Sequence, residues 1–275
     1  MKKIVMTGII LLVICLSVGA TSAEGFFDIF GSGKSNVDLS NNTFIVGFDS
    51  QSPPFGYQGA NGEFTGFDID LAREVCKRNN WTFKAQPIID WNTKQMELDS
   101  GEISCIWSEF TINGRENNYT WSNPYFNNTM VAVVQKDSNI SSLDDLKGKT
   151  LEVQQGVSVL KTIKENETLN STFKKITEVG TYENALMDLQ AGFCDVVILD
   201  CGLANYMVVE KHPDLRILND SISYEQYGVG FKKGNDALRD QVQKTLDEMF
   251  KDGTVEKIAQ NYSEYKIPEG LILPK

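Results

Sequence analysis

The residue types that most often carry catalysis or bind metals are scarce in this chain. It has a single histidine, His212, beside Pro213 in a segment predicted as a loop, so we expect a surface residue. No Cys-x-x-Cys pair is present, and no metal site is predicted. Neither a pocket histidine nor an evident pair of carboxylates offers a general acid or base, which argues against an enzyme. No cofactor is predicted.

Four cysteines follow the N-terminal 23 residues, and export would allow them to be oxidised. They are Cys76, Cys105, Cys194 and Cys201. Four cysteines allow three pairings. Cys194 and Cys201 are not expected to pair with each other, because the predicted strand between them would hold their Cα atoms beyond the limit of about 7 Å. The sequence leaves the redox state of all four open.

The elements that must position any functional residue alternate between short apolar runs and amphipathic helices from residue 44 onward. Strands are predicted at 44–48, 81–85, 103–107, 130–134, 151–154, 173–176 and 196–199. Helices are predicted at 67–79, 91–100, 157–166, 182–191, 203–210, 236–250 and 254–262. This alternation predicts α/β lobes with largely parallel sheets. The last two helices are expected to pack on the first lobe.

The length of 275 residues predicts two cores, since domains usually hold roughly 100 to 200 residues. A chain that leaves the first lobe near residue 128 and returns near residue 228 crosses the boundary twice, and two crossing strands form a hinge. We expect lobe 1 at 43–128 plus 229–265, lobe 2 at 129–228, and a C-terminal tail at 266–275. The net charge of −11 argues against a nucleic-acid partner, because phosphate binding needs a concentrated basic surface.

The first 23 residues are organised as a secretory signal peptide. Two lysines precede the apolar run 9–16, and a cleavage site is expected at Ala20 or Ala23. The apolar run is too short for an ideal membrane span, although an uncleaved N-terminal anchor is the alternative. Residues 24–42 are predicted as a flexible tether. The chain is therefore expected outside the cytoplasm, in the periplasm or on the outer face of the cell membrane.

A series of short motifs runs in one order along residues 44–262. They are Val46-Gly47-Phe48-Asp49, Pro53-Pro54-Phe55-Gly56-Tyr57, Gly66-Phe67-Asp68-Ile69-Asp70-Leu71-Ala72, Leu98-x-x-Gly101, Thr111-Ile112-x-x-Arg115, Trp121-Ser122-x-Pro124-Tyr125, Leu143-x-x-Leu146-x-Gly148-Lys149, Gln155-Gly156, Leu189-x-Ala191-Gly192-x-x-Asp195, Asp200 and Tyr227-Gly228-Val229. The series resembles the family 3 extracellular solute-binding proteins, the polar amino-acid receptors of ABC importers. The resemblance implies an α/β, two-lobed periplasmic-binding-protein fold of type II, with two hinge strands and the ligand in the cleft.

The resemblance implies which residues bind the charged ends of a free amino acid. Arg115 matches the arginine that takes the ligand carboxylate, and Thr111 matches the hydroxyl residue before it. Asp200 matches the aspartate that receives the ammonium, and it ends a predicted strand, where α/β sheets hold ligands. Ser158 matches the lobe 2 hydroxyl at a helix start, where free amides favour a carboxylate.

Further positions match residues that contact the rest of the ligand. Ser108 matches a lobe 1 contact, Asp49 an acid that often reads the ligand side chain, and Trp91 a pocket wall. Possible further contacts are Ser52, Glu109 and Gln154.

The chain departs from the family pattern at three places. The segment from Thr111 to Arg115 is one residue short, so Gly114 is expected to re-form the turn. Ser52 replaces an aromatic ring, which leaves stacking to Trp91. Glu109 stands where a small or neutral residue is usual, and its carboxylate could lie in the pocket.

The resemblance implies a monomeric receptor that closes around a free polar L-amino acid and delivers it to the permease subunits of an ABC importer. An amino-acid-sensing domain is one rival, but it would need a signalling segment after residue 262, where 13 residues remain. A dehydratase on the same fold is the second rival. Asp49 and Glu109 favour a cationic ligand side chain, whereas Asp49 alone also suits a glutamine-like amide. No second arginine or lysine is placed for an acidic side chain.

Overall fold

Two β-sheets with helices on their faces form the described part of the chain. The computed structural model describes residue 39 and residues 41–273. The predicted signal peptide at 1–23 and most of the predicted tether at 24–42 lie outside the described residues. Within the described residues, no helix combines the length and the apolar character that a membrane crossing requires.

Residues 43–121 form most of the first sheet and its helices. In chain order the elements are β1 (Thr43–Phe48), β2 (Gln51–Ser52), β3 (Gly56–Gln58), β4 (Phe64–Thr65), α1 (Phe67–Arg78), β5 (Thr82–Pro87), α2 (Lys94–Ser100), β6 (Cys105–Ile106) and β7 (Thr120–Trp121). A short 3-10 helix at Trp91–Thr93 precedes α2. Gly66 directly precedes α1 with φ 126°, and a Cβ atom there would lie 2.3 Å from the Phe55 carbonyl oxygen, so the turn requires glycine.

Residues 126–227 form the second sheet and its helices, after which the chain returns to the first. The elements are β8 (Phe126–Gln135), β9 (Thr150–Gln154), α3 (Ser158–Glu165), α4 (Glu167–Thr172), β10 (Lys175–Val179), α5 (Tyr182–Ala191), β11 (Val196–Asp200), α6 (Cys201–Glu210), β12 (Leu215–Tyr227), β13 (Gly230–Phe231), α7 (Asp236–Lys251), α8 (Thr254–Gln260) and α9 (Ile267–Gly270). Short 3-10 helices occur at Leu143–Leu146 and Ser263–Tyr265.

The two main sheets have five strands each. Their strand orders are β5-β1-β6-β13-β7 and β10-β9-β11-β8-β12, and β2, β3 and β4 form a small third sheet. In each main sheet two strand pairs are parallel and two are antiparallel. The prediction of largely parallel sheets was therefore wrong, since only half of the strand pairs are parallel. The antiparallel pairs arise from β8 and β13, which enter each sheet from the other and pair antiparallel with both of their neighbours.

The long strands β8 and β12 link the two sheets. They pair antiparallel from Phe126 opposite Tyr227 to Gln135 opposite Leu215. The sequence did not predict β12, because this strand lies at the sheet edge, has register shifts near Ser221, and lacks the continuous apolar run of a central strand.

The second sheet is buried on both faces, as its apolar runs predict. Met130, Ala132 and Val134 of β8 pack in one apolar cluster, and Val131 and Val133 pack in another on the opposite face. Helices α7 and α8 contribute to the core of the first sheet, which confirms the predicted packing of the last helices.

His212 corrects one prediction. It lies in a loop, but it is only 4% exposed and is not a surface residue. Its Nδ1 lies 2.8 Å from Oε1 of Gln190, and its Nε2 lies 3.5 Å from Oε1 of Glu183. The surface prediction failed because two polar side chains of α5 cover the ring. These residues lie 22 and 29 positions earlier in the chain, so the local sequence around His212 does not show the contact. The four cysteines beyond residue 23 carry free thiols.

Candidate functional site

One cavity gathers side chains from both main sheets. The empty space within it, part of which is open to solvent, is about 360 Å³. It is lined by Asp49, Ser52, Trp91, Ser108, Glu109, Phe110, Thr111, Arg115, Gln154, Val157, Ser158, Tyr182 and Asp200. The structure therefore brings together every residue predicted as a ligand contact or as a possible contact. Their role in binding stays a prediction.

Arg115 presents a buried guanidinium to the cavity. Nη1 donates to the Thr111 carbonyl oxygen and Nη2 to the Gly156 carbonyl oxygen, both at 3.1 Å, and Cζ lies 5.1 Å from the centre of the Phe110 ring. Burial lowers the pKa of Arg115 below its usual value. Among the described residues, no carboxylate oxygen lies within 4 Å of its nitrogens. A ligand carboxylate would supply the missing counter-ion.

The turn before Arg115 forms as the shortened motif predicts. Gly114 has φ 77°, a conformation that favours glycine, and the Arg115 amide donates to the Ile112 carbonyl oxygen at 2.8 Å. The prediction that Gly114 re-forms the turn is confirmed.

The hydroxyls of Thr111 and Ser158 converge on one carboxylate that the sequence did not predict. Thr111 Oγ1 donates to Oε2 of Glu225 at 2.7 Å, and Ser158 Oγ lies 2.8 Å from the same oxygen. Ser158 opens α3, whose N-terminus has no side-chain cap, so its first backbone amides can bind an anion. Glu225 was missed because it lies on β12, the strand that lacked a sequence signal.

Asp200 lies at the carboxyl end of β11, as predicted for a ligand contact. Its Oδ1 accepts a hydrogen bond from Nδ2 of Asn128 at 2.7 Å and a second from the Tyr227 hydroxyl. Burial, together with the nearby charge of Glu225, raises the pKa of Asp200. Because Asn128 and Tyr227 belong to β8 and β12, the linking strands orient this carboxylate.

Asp49 follows β1 and faces the second sheet across the cavity. Its Oδ2 accepts from Nε2 of Gln154 at 2.9 Å, and its Oδ1 accepts from the Gln51 amide at 2.8 Å. The Asp49 amide donates to Oγ of Ser108 at 3.0 Å, which gives Ser108 a positioning contact. Burial raises the pKa of Asp49.

Glu109 is held in an unusual backbone conformation beside these acids. Its φ is 43°, which is uncommon outside glycine, and its amide donates to Oδ2 of Asp68 at 2.6 Å. Asp68 is fully buried, its Oδ1 accepts from the Tyr125 hydroxyl at 2.7 Å, and burial raises the pKa of Asp68 to about 7. Despite this concentration of acids, no group of His, Cys, Asp and Glu within the described residues could hold a metal ion.

Aromatic rings form one wall of the cavity. Trp91 packs edge-on against Phe110 with ring centres 5.9 Å apart, and Lys94 Nζ lies 4.9 Å from the centre of the Trp91 ring. The sequence did not assign Phe110, Val157 or Tyr182 to the site. Phe110 and Val157 adjoin predicted contacts in sequence and could have been found from them, whereas no local signal marks Tyr182.

Comparison with known proteins gives a family and several relatives. The family model described as "Bacterial extracellular solute-binding proteins, family 3" matches residues 44–265. The L-cystine-binding protein TcyJ of Escherichia coli (strain K12) is 28% identical over 251 residues, which cover 89% of this chain and 90% of TcyJ.

Solved structures resemble this fold closely. A substrate-binding protein of an ABC uptake transporter from Streptococcus pneumoniae, with bound histidine, has a TM-score of 0.77 and 32% identity over 82% of this chain and 93% of that chain. The ancestral amino acid-binding protein AncCDT-1, a precursor of cyclohexadienyl dehydratase, has a TM-score of 0.73 and 28% identity over 82% of this chain and 96% of that chain. The predicted type II periplasmic-binding-protein fold is confirmed.

Proposed function

Since this chain belongs to family 3 of the bacterial extracellular solute-binding proteins, we propose that it is a receptor for one free polar L-amino acid. The observation that supports this most is the buried guanidinium of Arg115, which lacks a counter-ion among the described residues and lines one cavity with the carboxylate of Asp200. An α-amino acid carries the two opposite charges that this pair would bind.

The contacts suggest how the ligand lies. Its carboxylate binds Arg115 and the free amides at the start of α3, near Ser158. Its ammonium binds Asp200. Its side chain then extends toward Asp49, with Trp91 as a flat wall.

Binding is coupled to movement between two lobes, lobe 1 at 43–128 plus 229–265 and lobe 2 at 129–228. In the present arrangement hydrogen bonds join the two sides of the cavity. Gln154 donates to the Asp49 carboxylate, and Arg115 donates to the Gly156 carbonyl oxygen. A ligand can enter only after these contacts open, and β8 with β12 are the strands that would bend. The closed, loaded form is then the one that a transporter distinguishes from the open form.

The proposed setting is the extracytoplasmic side of the cell membrane, where a monomer exported by its signal peptide meets the permease subunits of an ABC importer. The chain acts as a carrier and not as an enzyme. In support, the carboxylates of Asp49 and Asp200 already accept hydrogen bonds from Gln154, Asn128 and Tyr227, and the single histidine, His212, does not line the cavity.

The test is a ligand screen on mature protein that has been unfolded and refolded to remove any bound molecule. Thermal unfolding is followed with each of the twenty amino acids in turn. A ligand that binds only the folded state stabilises it by RT ln(1 + [L]/Kd), so at 100 Kd the gain is about 2.7 kcal/mol. A shift confined to one or two polar amino acids supports the proposal. No shift with any amino acid would contradict it.

A further inference from the structure

The cavity holds more acids than cations. Of its lining residues Asp49, Glu109 and Asp200 are acids and Arg115 is the one cation. The carboxylate of Glu225 lies directly behind this lining, on the hydroxyls of Thr111 and Ser158.

Lys94, which does not line the cavity, is a further cation nearby. It is buried, and its Nζ donates to the carbonyl oxygens of Trp91 at 2.8 Å and Gly156 at 3.4 Å. A zwitterionic amino acid brings one positive and one negative charge, so it leaves the excess of acids unchanged. Buried carboxylates need cations or donors, and a ligand with a second positive charge would reduce the excess.

Glu109 has an unsatisfied carboxylate oxygen that a second positive charge could pair with. Its Oε2 is buried and has no hydrogen-bond partner among the residues that the structure describes. A buried acceptor without a donor is unfavourable, and native structures keep few of them. The donor that would satisfy Oε2 is therefore expected from the ligand, since Glu109 lines the cavity.

The backbone of Glu109 is strained, and contacts with neighbouring residues stabilise it in this conformation. Glu109 adopts φ 43°, a region that residues with a Cβ atom rarely occupy. The fully buried Asp68 accepts the Glu109 amide at 2.6 Å, and the Tyr125 hydroxyl fixes Asp68 in turn. Strain that is held by a dedicated contact at a binding cavity points to a functional residue.

We propose that the ligand is an amino acid whose side chain ends in a guanidinium or ammonium group, and that Glu109 with Asp49 reads this charge. This inference rests on the proposed receptor function and adds the substrate class and a specificity-determining residue. Arg115 and Asp200 hold the α-carboxylate and α-ammonium, and the distal cation donates to Oε2 of Glu109.

Binding of the cation should favour the ionised form of Glu109. Burial raises the pKa of Glu109 well above its usual value, and the charges of Asp200, Asp49 and Asp68 raise it further, against a hydrogen bond from Ser52 that lowers it. The hydroxyls of Tyr125, Tyr182 and Tyr227 also face this group. A cation beside Glu109 favours the charged form, so binding of the cation and ionisation of Glu109 favour each other.

The first experiment compares arginine and lysine with citrulline and glutamine, by isothermal titration of ligand-free mature protein. Citrulline has nearly the shape of arginine but a neutral urea group. We expect arginine or lysine to bind at least about 100-fold more tightly than citrulline or glutamine, since a neutral group cannot act as the counter-ion of the Glu109 carboxylate. Titration in two buffers of different ionisation enthalpy should also show proton release. If a neutral amino acid binds as tightly as arginine or lysine, the proposed selectivity for a cationic side chain is wrong, but the proposed receptor function is not affected. No binding of any amino acid would overturn both.

Two substitutions of Glu109 separate selectivity from folding. Glu109→Gln keeps the shape and removes the charge, and Glu109→Gly suits φ 43° better than glutamate does. In both variants we expect the preference for arginine over citrulline to fall at least tenfold and the proton release to diminish, with the glycine variant at least as resistant to heat as the parent. Glu102→Gln, an exposed acid earlier in the same lobe, is the matched control and should bind as the parent does. An unchanged preference in the folded glycine variant would overturn the role of Glu109.

Discussion

Gln154 donates a hydrogen bond from Nε2 to Oδ2 of Asp49 at 2.9 Å, and this bond joins the end of β9 to the loop after β1. The two residues belong to different sheets, so the bond spans the cavity. Three neighbouring contacts also cross it, from Arg115 and Lys94 to the Gly156 carbonyl oxygen and from Lys161 to the Gly114 carbonyl oxygen. Side chains on the two sides of the cavity are thus joined directly in this arrangement.

Removal of the Gln154 side chain should loosen this closure. A hydrogen bond to a charged group contributes about 1.5–3 kcal/mol, and Gln154→Ala removes one that exists only when the cavity is closed. We expect a larger radius of gyration for the ligand-free variant in small-angle X-ray scattering. Gln260→Ala, at an exposed position that ends α8, is the control. Identical scattering from the parent and the Gln154 variant would contradict the idea that this bond favours closure.

Loss of the Arg115 guanidinium should abolish most of the binding. Truncation of one partner in a buried charge pair costs about 2–5 kcal/mol, so Arg115→Ala should weaken the ligand by roughly that amount in calorimetry at pH 7. The control is Arg73→Ala, which removes a half-exposed arginine of α1 that lies outside the cavity lining. Circular dichroism checks that both variants fold. Parental affinity in a folded Arg115 variant would contradict its assignment to the ligand carboxylate.

Much of the fold could be predicted where local signals coincide with the element. Helix α5 has the predicted bounds, because Thr181 caps its first turn by accepting from the Asn184 amide and Gly192 ends it at φ 78°. Strand β12 carried no such signal. Its stability comes from pairing with β8 along its length, which is a tertiary contact.

The candidate site shows the same division. Arg115, Asp200 and the other predicted contacts were found through an ordered series of motifs, and the fold gathers them in one cavity. Glu225 and Tyr182 were missed, since each reaches the site by tertiary packing and neither adjoins a motif. The burial of His212 was missed for the same reason.

The Tyr227 hydroxyl should tune the ammonium site. Its hydrogen bond lowers the pKa of Asp200, against the larger effect of burial that raises it. Tyr227→Phe should therefore leave Asp200 protonated over a wider pH range. A ligand ammonium needs the carboxylate form, so the variant should bind about 1–3 kcal/mol more weakly near neutral pH and regain part of the loss as pH rises.

Calorimetry between pH 6 and pH 8.5 measures this effect. Tyr224→Phe is the matched control, because Tyr224 lies on the same strand with 78% of its surface exposed. If the ligand affinity of the Tyr227 variant depends on pH in the same way as that of the parent, the Tyr227 hydroxyl does not affect the pKa of Asp200.

The buried acids should make the ligand-free protein more stable in mild acid than at neutral pH. Burial raises the pKa of Asp68 to about 7, whereas the unfolded chain has the ordinary value near 3.8. Between these two values the folded state binds the proton and the unfolded state does not, so the free energy of unfolding falls as pH rises from about 4 to about 7. Burial raises the pKa of Asp49 as well, which adds to the same trend. Urea unfolding at pH 5 and at pH 8 measures the difference, which we expect to be on the order of a few kcal/mol.

Asp68→Asn tests whether this trend comes from Asp68. Asparagine cannot titrate, so the dependence on pH should become shallower even though the variant loses a hydrogen bond to Tyr125 or to the Glu109 amide and is less stable at every pH. Asp252→Asn serves as the control, because its hydrogen bond from Arg78 lowers the pKa of Asp252 to about 2 and places its titration below this window. If the free energy of unfolding changes as much between pH 5 and pH 8 in the Asp68 variant as in the parent, other groups are responsible for the pH dependence.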